Sequence, residues 1–300
     1  MKIAIVGTGA MGSVYAGLFV SAGHEVWAID RWREHVEAMR SKGLRVEGAS
    51  GDRTVKVNAT TNAADAGPCD LVVLATKAMH VASAARSIEP LLKEGTPVLS
   101  IQNGLGGPDA AASILGRERV MVGVVGGFGA SMRGPGHAHH NGMELVRLGE
   151  FGGPITERLK KVEALWTGAG FRVRLFDDID QLVWEKLLCN CAYSALCGAI
   201  ECTIGEVMTD ADLSRVSAAC ATEVFTMARK KGVKLGFDDP VAYARDFGSK
   251  IPNARPSVLL DLMAKRKSEI DVINGAIDGP VNQALAALVR AKERKLGCLS

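Results

Sequence analysis

The sequence predicts an α/β, Rossmann-like domain followed by an all-helical domain, and three observations lead to this prediction. A β-branched run, Lys2–Val6, leads directly into a glycine-rich turn. Strand and helix patterns then alternate over about 175 residues, as they do in a doubly wound parallel sheet. After Asp177 the strand patterns stop and only helical ones remain. We therefore expect a first domain over 1–176 and a second over 177–300.

The elements of the first domain follow from apolar periodicity between turn residues. Apolar runs predict strands at Lys2–Val6, Glu25–Ile29, Leu71–Ala75, Pro97–Ile101, Val120–Gly126 and Phe171–Leu175. Helical periodicity predicts helices at Arg33–Ser41, Val81–Leu92 and Asp109–Leu115, besides one after the glycine-rich turn. The short polar pieces of Gly134–Gly149, which include Met143 and Glu144, predict antiparallel hairpin strands at the sheet edge.

Helices alone are predicted for the second domain, at Ile179–Ile200, Ala211–Lys231, Pro240–Phe247, Ser257–Ala264, Glu269–Ala276 and Val281–Leu296. The formal net charge of +3 is too small to indicate a nucleic-acid or membrane partner. Because a strand begins at Lys2, we expect no signal peptide, and seven cysteines without framework spacing suit the cytoplasm. Four of them lack zinc-site companions and are expected to be core thiols: Cys189, Cys191, Cys197 and Cys202.

The turn after the first strand is a Gly-x-Gly-x-x-Gly motif, Gly7-Thr8-Gly9-Ala10-Met11-Gly12. Gly7 permits the tight turn, Gly9 lets the backbone approach a pyrophosphate, and Gly12 lets strand and helix pack closely. The next helix directs its N-terminal amides and positive dipole end at the phosphates. Because the motif joins a strand to a helix, it predicts dinucleotide binding by this turn rather than a glycine turn without a ligand.

The end of the second strand bears on the phosphate state of the cofactor. Asp30 comes 18 residues after Gly12, near the position where an acid bonds the ribose 2′-hydroxyl of NAD. Arg31 and Arg33 follow, where a guanidinium would bind the 2′-phosphate of NADP. The alternative is that Asp30 caps the next helix and the arginines are solvated. The residues alone leave the three readings open.

One predicted helix of the second domain carries a polar stripe. Lys186, Asn190 and Ser194 are spaced i, i+4 and i+8, so they share a helix face in a segment otherwise rich in Leu, Cys and Ala. A lysine in such a segment is costly unless it reaches water or meets a partner. The stacked Asn and Ser favour a stripe that faces a binding cleft.

These pieces together resemble the ketopantoate reductase family (2-dehydropantoate 2-reductases) over nearly the full length of the chain. The resemblance rests on the order and spacing of several motifs: Gly7-x-Gly9-x-x-Gly12, Thr76-Lys77-Ala78, Gln102-Asn103-Gly104-Leu105-Gly106, Trp184-Glu185-Lys186 with Asn190, Arg255-Pro256-Ser257, and Ser268-Glu269-Ile270-Asp271-x-x-Asn274-Gly275. It implies a second domain like the C-terminal domain of 6-phosphogluconate dehydrogenase. It also implies NADPH-dependent reduction of ketopantoate to pantoate in pantothenate biosynthesis, by a cytoplasmic enzyme that we expect to be a homodimer.

The resemblance also implies roles for individual residues. Lys186 would donate the proton to the carbonyl oxygen as hydride arrives at carbon, since a cationic donor is needed where an alkoxide develops. Asn190 and Ser194 would hold the substrate, while Lys77 and Asn103 would contact cofactor and substrate near the nicotinamide. Without the resemblance, Lys77 would be a surface lysine and Asn103-Gly104 a turn. NADH stays open as the cofactor because of Asp30.

Ser257 and Glu269 complete the residues that the resemblance implies. One continuous helix would separate them by about 18 Å, so we expect a break at Lys265–Lys267 and a new helix capped by Ser268. Ser257 could then bind the substrate carboxylate and Glu269 its hydroxyl, and Glu269 would also contact the cofactor and serve catalysis. Ser257 as a simple helix cap is the alternative.

Three further points stay open in the sequence. His137, His139 and His140 have no carboxylate at chelating spacing, so we expect an exposed turn and no metal. Only Asp278 and Gly279 join Ile277 to Pro280, where similar proteins have a longer helix and loop, so the packing of the last helix is in doubt. The competing functions are a paralogous NAD(P)-dependent reductase of another branched 2-keto acid and a non-catalytic NAD(P)-binding redox sensor with a protein partner.

Overall fold

The central strands of the first half of the chain carry short apolar runs such as Leu71–Leu74, and many of the helices carry amphipathic stretches. The computed structural model describes residues 1–127, 129–142 and 145–298. Within them, the strands are β1 Lys2–Val6, β2 Glu25–Ile29, β3 Leu44–Gly48, β4 Arg53–Val55, β5 Asn58–Thr60, β6 Leu71–Leu74, β7 Val98–Ser100, β8 Val120–Gly126, β9 Gly129–Gly134, β10 His137–Gly142, β11 Leu145–Glu150 and β12 Val173–Leu175. The helices are α1 Ala10–Ser21, α2 Arg33–Lys42, α3 Val81–Ser87, α4 Gly107–Leu115, α5 Glu157–Gly168, α6 Ile179–Ile200, α7 Ile204–Thr209, α8 Ala211–Lys230, α9 Pro240–Lys250, α10 Ser257–Met263 and α11 Pro280–Leu296.

The chain divides into two compact units. The sheet unit comprises Met1–Gln102 and Gly106–Ile179, and the helical unit comprises Asn103–Leu105 and Asp180–Ser300. The three residues Asn103–Leu105 therefore belong with the helices, although they follow strand β7 in the chain. None of the helices within the described residues combines the length and hydrophobicity that a membrane crossing requires.

The sheet unit contains a doubly wound sheet of eight strands, in the order β12-β11-β8-β7-β6-β1-β2-β5. All neighbouring pairs are parallel except β11 with β8, which is antiparallel. Both faces are covered, because one hydrophobic cluster includes α1 and α5 and another includes α3 and α4. The strand order reverses beside β1, and in such sheets ligands bind at the carboxyl ends of the strands there.

A second sheet, of four strands, was not predicted from the sequence. Its order is β4-β3-β10-β9, and α1 packs against it as well as against the main sheet. The contact is close, since a Cβ at Gly17 of α1 would lie 2.7 Å from Val46 Cγ2. The prediction of antiparallel strands at the main sheet edge is therefore correct only for β11, which pairs antiparallel with β8, and wrong for β10, which forms a hairpin with β9 and pairs with β3. Met143 and Glu144, also assigned to that region from the sequence, lie outside the described residues.

The helical unit is built around α6, whose predicted bounds are confirmed. Its side chains are buried on nearly all sides, as expected for a central helix, and the four cysteines predicted to be core thiols are buried. Helix α7 was missed, and the predicted helix Glu269–Ala276 is wrong: two separate 3-10 turns, Ile270–Val272 and Asn274–Ala276, occupy the segment.

The short connection before α11 leaves that helix well packed. Leu285, Ala286 and Val289 are buried, and the Glu223 carboxylate of α8 accepts hydrogen bonds from the backbone N–H groups of Val281 and Asn282 at 2.9 Å each. These are two of the N–H groups that a helix start leaves without partners. Glu223 therefore caps α11 directly after the two-residue connection.

Candidate active site

The glycine-rich turn after β1 is held by close backbone packing at two of its three glycines. Gly7 has a φ of +89°, and a Cβ there would lie 2.6 Å from the backbone nitrogen of Thr76. A Cβ at Gly12 would collide with the carbonyl oxygen of Gly7. The roles predicted for these two glycines, a tight turn and close packing, therefore match the structure.

Gly9 differs from its two neighbours, because a Cβ there would meet nothing within 4 Å. Helix α1 begins directly after it, and no side chain caps the N-terminus of that helix. Nearby at the end of β6, the Thr76 hydroxyl oxygen is buried and has no hydrogen-bond partner among the described residues. Open space, uncapped helix amides and an orphaned hydroxyl fit the phosphates of a dinucleotide.

Asp30 and Arg31 stand at the end of β2, as predicted. The Asp30 carboxylate accepts a hydrogen bond from Trp32 N at 2.9 Å and a longer one from the Thr8 hydroxyl at 3.4 Å. Asp30 does not cap α2, whose N-cap residue is Trp32. The Arg31 guanidinium donates to Ser83 Oγ at 2.8 Å, so it is tethered rather than simply solvated. One donor is then engaged, and others of the guanidinium stay available for a phosphate.

In the helical unit, a chain of hydrogen bonds joins three of the predicted residues. Lys186 Nζ donates to Asn103 Oδ1 at 2.7 Å, and Asn103 Nδ2 donates to Glu269 Oε2 at 3.2 Å. Glu269 is only 8% exposed and Lys186 is half-buried. The amide thus keeps the ammonium and the carboxylate at its two ends, where each charge has a partner that offsets part of its desolvation. A protonated amine held in this way is a candidate proton donor.

Asn103 is positioned by the two residues that follow it. Leu105 N donates to Val272 O at 2.9 Å. Gly104 has a φ of +77°, and a Cβ there would collide with the same carbonyl oxygen. Glycine is therefore required at this point, and the contact brings Asn103 to the segment that carries Glu269.

Glu293 of α11, which was not predicted as a site residue, holds the residue that precedes Glu269. Ser268, which is fully buried, donates from its backbone nitrogen at 2.8 Å and from its hydroxyl at 2.6 Å to Glu293 Oε1. The signal was present in the sequence, because Glu293 continues the buried i, i+4 stripe of Leu285 and Val289 on α11. Ser268 Oγ also accepts from Ile270 N at 3.3 Å, but the N-cap residue of the 3-10 turn is Glu269, so the prediction of Ser268 as the cap of a new helix is wrong.

The other predicted residues lie on α6, at the start of α10 and after β6. Asn190 is half-buried and Ser194 is 3% exposed, on the same helix as Lys186. Ser257 is exposed and is the first residue of α10, where its own backbone N–H is one of the unpaired helix-start donors. Within the described part of the chain, none of these three hydrogen bonds to Lys186, Asn103 or Glu269. Lys77 follows β6 and precedes the 3-10 turn Ala78–His80.

The prediction of an exposed turn at His137, His139 and His140 is wrong, because these three residues lie in strand β10. His140 is fully buried, and its Nδ1 lies 2.9 Å from Ser50 Oγ. A carboxylate that the spacing could not reveal, Glu47 of β3, lies 3.2 Å from His137 Nε2 and 3.3 Å from His139 Nδ1. The imidazole contacts help to lower the pKa of Glu47. Among the described residues, no group of three or more His, Cys, Asp or Glu has a metal-binding arrangement.

Two family models match the chain. The model described as ketopantoate reductase PanE/ApbA matches residues 3–153, and the model of its C-terminal domain matches residues 178–293. A curated 2-dehydropantoate 2-reductase of Pyrococcus abyssi is 30% identical over 98% of both chains.

Solved structures are similar over the whole chain as well. A PanE/ApbA family ketopantoate reductase from Ralstonia eutropha JMP134 is 35% identical, with a TM-score of 0.90 and coverage of 99% of this chain and 100% of that one. A D-mandelate dehydrogenase solved with NADH and anilino(oxo)acetate is 27% identical, with a TM-score of 0.91 and full coverage of both chains.

Proposed function

The chain belongs to the ketopantoate reductase family, and we propose that it reduces 2-dehydropantoate to pantoate with NADPH. The observation that carries this proposal is the hydrogen-bonded chain from Lys186 through Asn103 to Glu269. It offers a cationic proton donor, and a carbonyl reduction needs such a donor where negative charge develops on oxygen. When bound, the reduced nicotinamide supplies the hydride.

Lys186 is the general acid in this proposal. Its half-buried ammonium is held by the Asn103 amide oxygen, so its direction is set before the substrate binds. The proton passes from Lys186 Nζ to the keto oxygen, which becomes the hydroxyl of the product. The positive charge stabilises the developing alkoxide during the same step.

The neighbouring polar residues hold the substrate. Glu269 can accept a hydrogen bond from a substrate hydroxyl, because a carboxylate offers about four acceptor positions and the Asn103 amide occupies one of them. Asn190 and Ser194 lie on the Lys186 face of α6 and hold the substrate's oxygen atoms. Ser257 binds the carboxylate, because an anion is favoured at the first turn of a helix such as α10.

The sheet unit holds the cofactor in this proposal. The residues 7–12 and the start of α1 bind the pyrophosphate, with the orphaned Thr76 hydroxyl and Lys77 at the neighbouring strand end. Arg31, tethered to Ser83, binds the 2′-phosphate that distinguishes NADPH. Asn103 and Glu269 contact the cofactor near the nicotinamide.

Replacing Lys186 tests the assignment directly. We expect Lys186→Ala to lower kcat with ketopantoate by about 10²- to 10⁴-fold, because the general acid is lost. The dissociation constant of NADPH, measured by fluorescence titration, should stay within about threefold, a change of less than 1 kcal/mol. The matched control is Lys230→Ala, an exposed lysine on α8, which should leave both values unchanged. Normal turnover by Lys186→Ala would remove the general acid from this proposal.

A second candidate function is favoured by Asp30, which stands where an acid bonds the ribose 2′-hydroxyl of NADH. It is an NADH-dependent reductase of another 2-keto acid. A rate matrix of NADPH and NADH against ketopantoate, other branched 2-keto acids and benzoylformate separates the two. Activity on another acid with none on ketopantoate would replace the first candidate. Tight NAD(P)H binding with no turnover across the matrix would instead indicate a redox sensor.

We also propose that the protein acts in the cytoplasm and forms a homodimer, as expected from its buried free thiols and its family. Multi-angle light scattering of the purified protein measures the assembly. A mass of about 32 kDa at micromolar concentration, close to the 31.7 kDa of one chain, would contradict the dimer.

A further inference from the structure

A fully buried histidine of α2, which the reaction does not use, lies directly beneath the glycine-rich turn. His35 Nε2 is 2.8 Å from the carbonyl oxygen of Thr8, and His35 Nδ1 accepts a hydrogen bond from Gly136 N at 2.8 Å. Gly136 lies in the turn between β9 and β10, so this imidazole joins α2, the glycine-rich turn and the second sheet. The Trp32 ring stacks on it, with 5.1 Å between centroids.

The hydrogen bonds determine which ring nitrogen carries the proton. A backbone N–H can only donate, so His35 Nδ1 is unprotonated and Nε2 carries the hydrogen that Thr8 O accepts. Burial lowers the pKa of His35, against an opposing effect of Asp30, and so keeps the ring neutral. Ser13 Oγ donates to the same Thr8 carbonyl at 2.7 Å. Two side chains thus fix one carbonyl group.

Fixing that carbonyl also sets the direction of the next N–H. In a trans peptide the C=O of one residue and the N–H of the next point in opposite directions. With the Thr8 oxygen held inward, the Gly9 N–H points to the other side of the peptide plane. Within the described residues the Gly9 N–H donates to no backbone acceptor, and the space around its Cα is open.

We propose that His35, together with Ser13, is a positioning residue that holds the Thr8–Gly9 peptide so that the Gly9 N–H binds a dinucleotide phosphate. The proposal rests on dinucleotide binding by the glycine-rich turn and not on the identity of the keto acid. Its effect is on cofactor affinity: the dissociation constant and KM for NADPH should change, and kcat at saturating NADPH should not.

Two substitutions of similar size separate the two hydrogen bonds of the imidazole. The side-chain amide of His35→Gln can replace the Nε2 donor to Thr8, whereas the shorter amide of His35→Asn can replace only the Nδ1 acceptor to Gly136. We expect His35→Gln to bind NADPH within about threefold of the original chain and His35→Asn to bind at least about tenfold more weakly. Ser13→Ala, which removes the second bond to Thr8 O with little change in volume, should also weaken binding.

Each variant is measured in three ways: fluorescence titration gives its NADPH affinity, steady-state kinetics gives kcat and KM, and thermal unfolding shows whether it folds. Equal NADPH affinity in the original chain, His35→Asn and Ser13→Ala would overturn the inference. So would parallel losses of kcat and affinity in His35→Asn, because a general structural defect moves both. If the original chain itself fails to bind NADPH, the proposed function fails. Should both His35 variants fail to fold, Ser13→Ala alone decides.

Discussion

The two units build their candidate sites from different parts of the chain: one from backbone and the other from side chains. In the sheet unit the glycine-rich turn is made of backbone, with Gly7 and Gly12 packed against neighbouring main chain and Gly9 left open. In the helical unit the candidate site consists of side chains, Lys186, Asn103 and Glu269, which hydrogen bonds hold in place. The packed backbone at Gly7 and Gly12 tolerates no added atoms, whereas the side-chain site depends on partners that are far apart in the sequence. Substitutions should therefore damage the two units in different ways.

The largest effect on stability should follow a single added methyl group in the backbone site. In Gly12→Ala the new Cβ collides with the carbonyl oxygen of Gly7, and neither backbone can move without breaking the strand-to-helix contact. We expect a loss of about 3 kcal/mol in the free energy of unfolding, measured by urea denaturation. The control is Gly168→Ala in α5, where a Cβ meets nothing within 4 Å and stability should be unchanged or higher. Equal stability of the two variants would contradict the argument.

The difference between a backbone site and a side-chain site also explains which features could be predicted from the sequence. The turn at residues 7–12 was readable because steric rules demand glycine at fixed spacing, so sequence and geometry are nearly equivalent. The face shared by Lys186, Asn190 and Ser194 followed from helical periodicity alone. The link between Lys186 and Asn103 could not follow, because their contact spans 83 positions and no local pattern encodes it.

Failures of prediction have the same cause. Strands β3 and β10 pair in parallel across about 90 residues, so the short polar hairpin gave no sign that it would form a second sheet. His35 carries no local signal beyond its place beside the buried Val36 and Met39. The two 3-10 turns at residues 270–276 replace a helix because Glu269, Asn274 and their neighbours are held by bonds to Asn103, Cys191 and Asn282.

A loss of stability somewhat smaller than that of Gly12→Ala should follow from breaking a buried polar network of the helical unit. Asn282 Nδ2 donates to Glu223 Oε2 at 2.7 Å and to Cys220 O at 3.1 Å, while its Oδ1 accepts from Asn274 Nδ2 at 2.8 Å. Asn282→Ala removes these three hydrogen bonds from a buried network, and we expect a loss of about 2 kcal/mol in the free energy of unfolding, measured by urea denaturation. Asn253→Ala, an exposed asparagine, is the control. If Asn282→Ala lost no more unfolding free energy than Asn253→Ala, the network would contribute nothing to stability.

Gly9→Ala should separate binding from stability, in contrast to Gly12→Ala. Its Cβ meets no protein atom, so the free energy of unfolding should change by less than about 1 kcal/mol. The methyl group occupies the space proposed for the pyrophosphate, so NADPH should bind at least about tenfold more weakly. Fluorescence titration measures the affinity. Unchanged affinity in a stable variant would mean that the phosphates lie elsewhere.

The smallest predicted effect is a pH dependence of stability that differs between the two units. It should appear in the sheet unit, because all six histidines precede residue 180. Burial lowers the pKa of His35 and His140 below the ordinary 6.5, so the unfolded chain binds more protons than the folded chain just below that pH. The free energy of unfolding that the two neutral histidines contribute is therefore constant above pH 6.5 and is lost as the pH falls below 6.5.

Hydrogen exchange between pH 7.5 and 5.5, corrected for intrinsic rates, makes this measurement. We expect protection to decline in α1 and β1 of the sheet unit, and to stay constant in α6 and α8 of the helical unit. Histidine protonation acts first on the unit that contains histidine, while the carboxylates titrate at lower pH. Equal decline in both units would show that the two share one cooperative unfolding transition, and protection that rises toward pH 5.5 would contradict the sign.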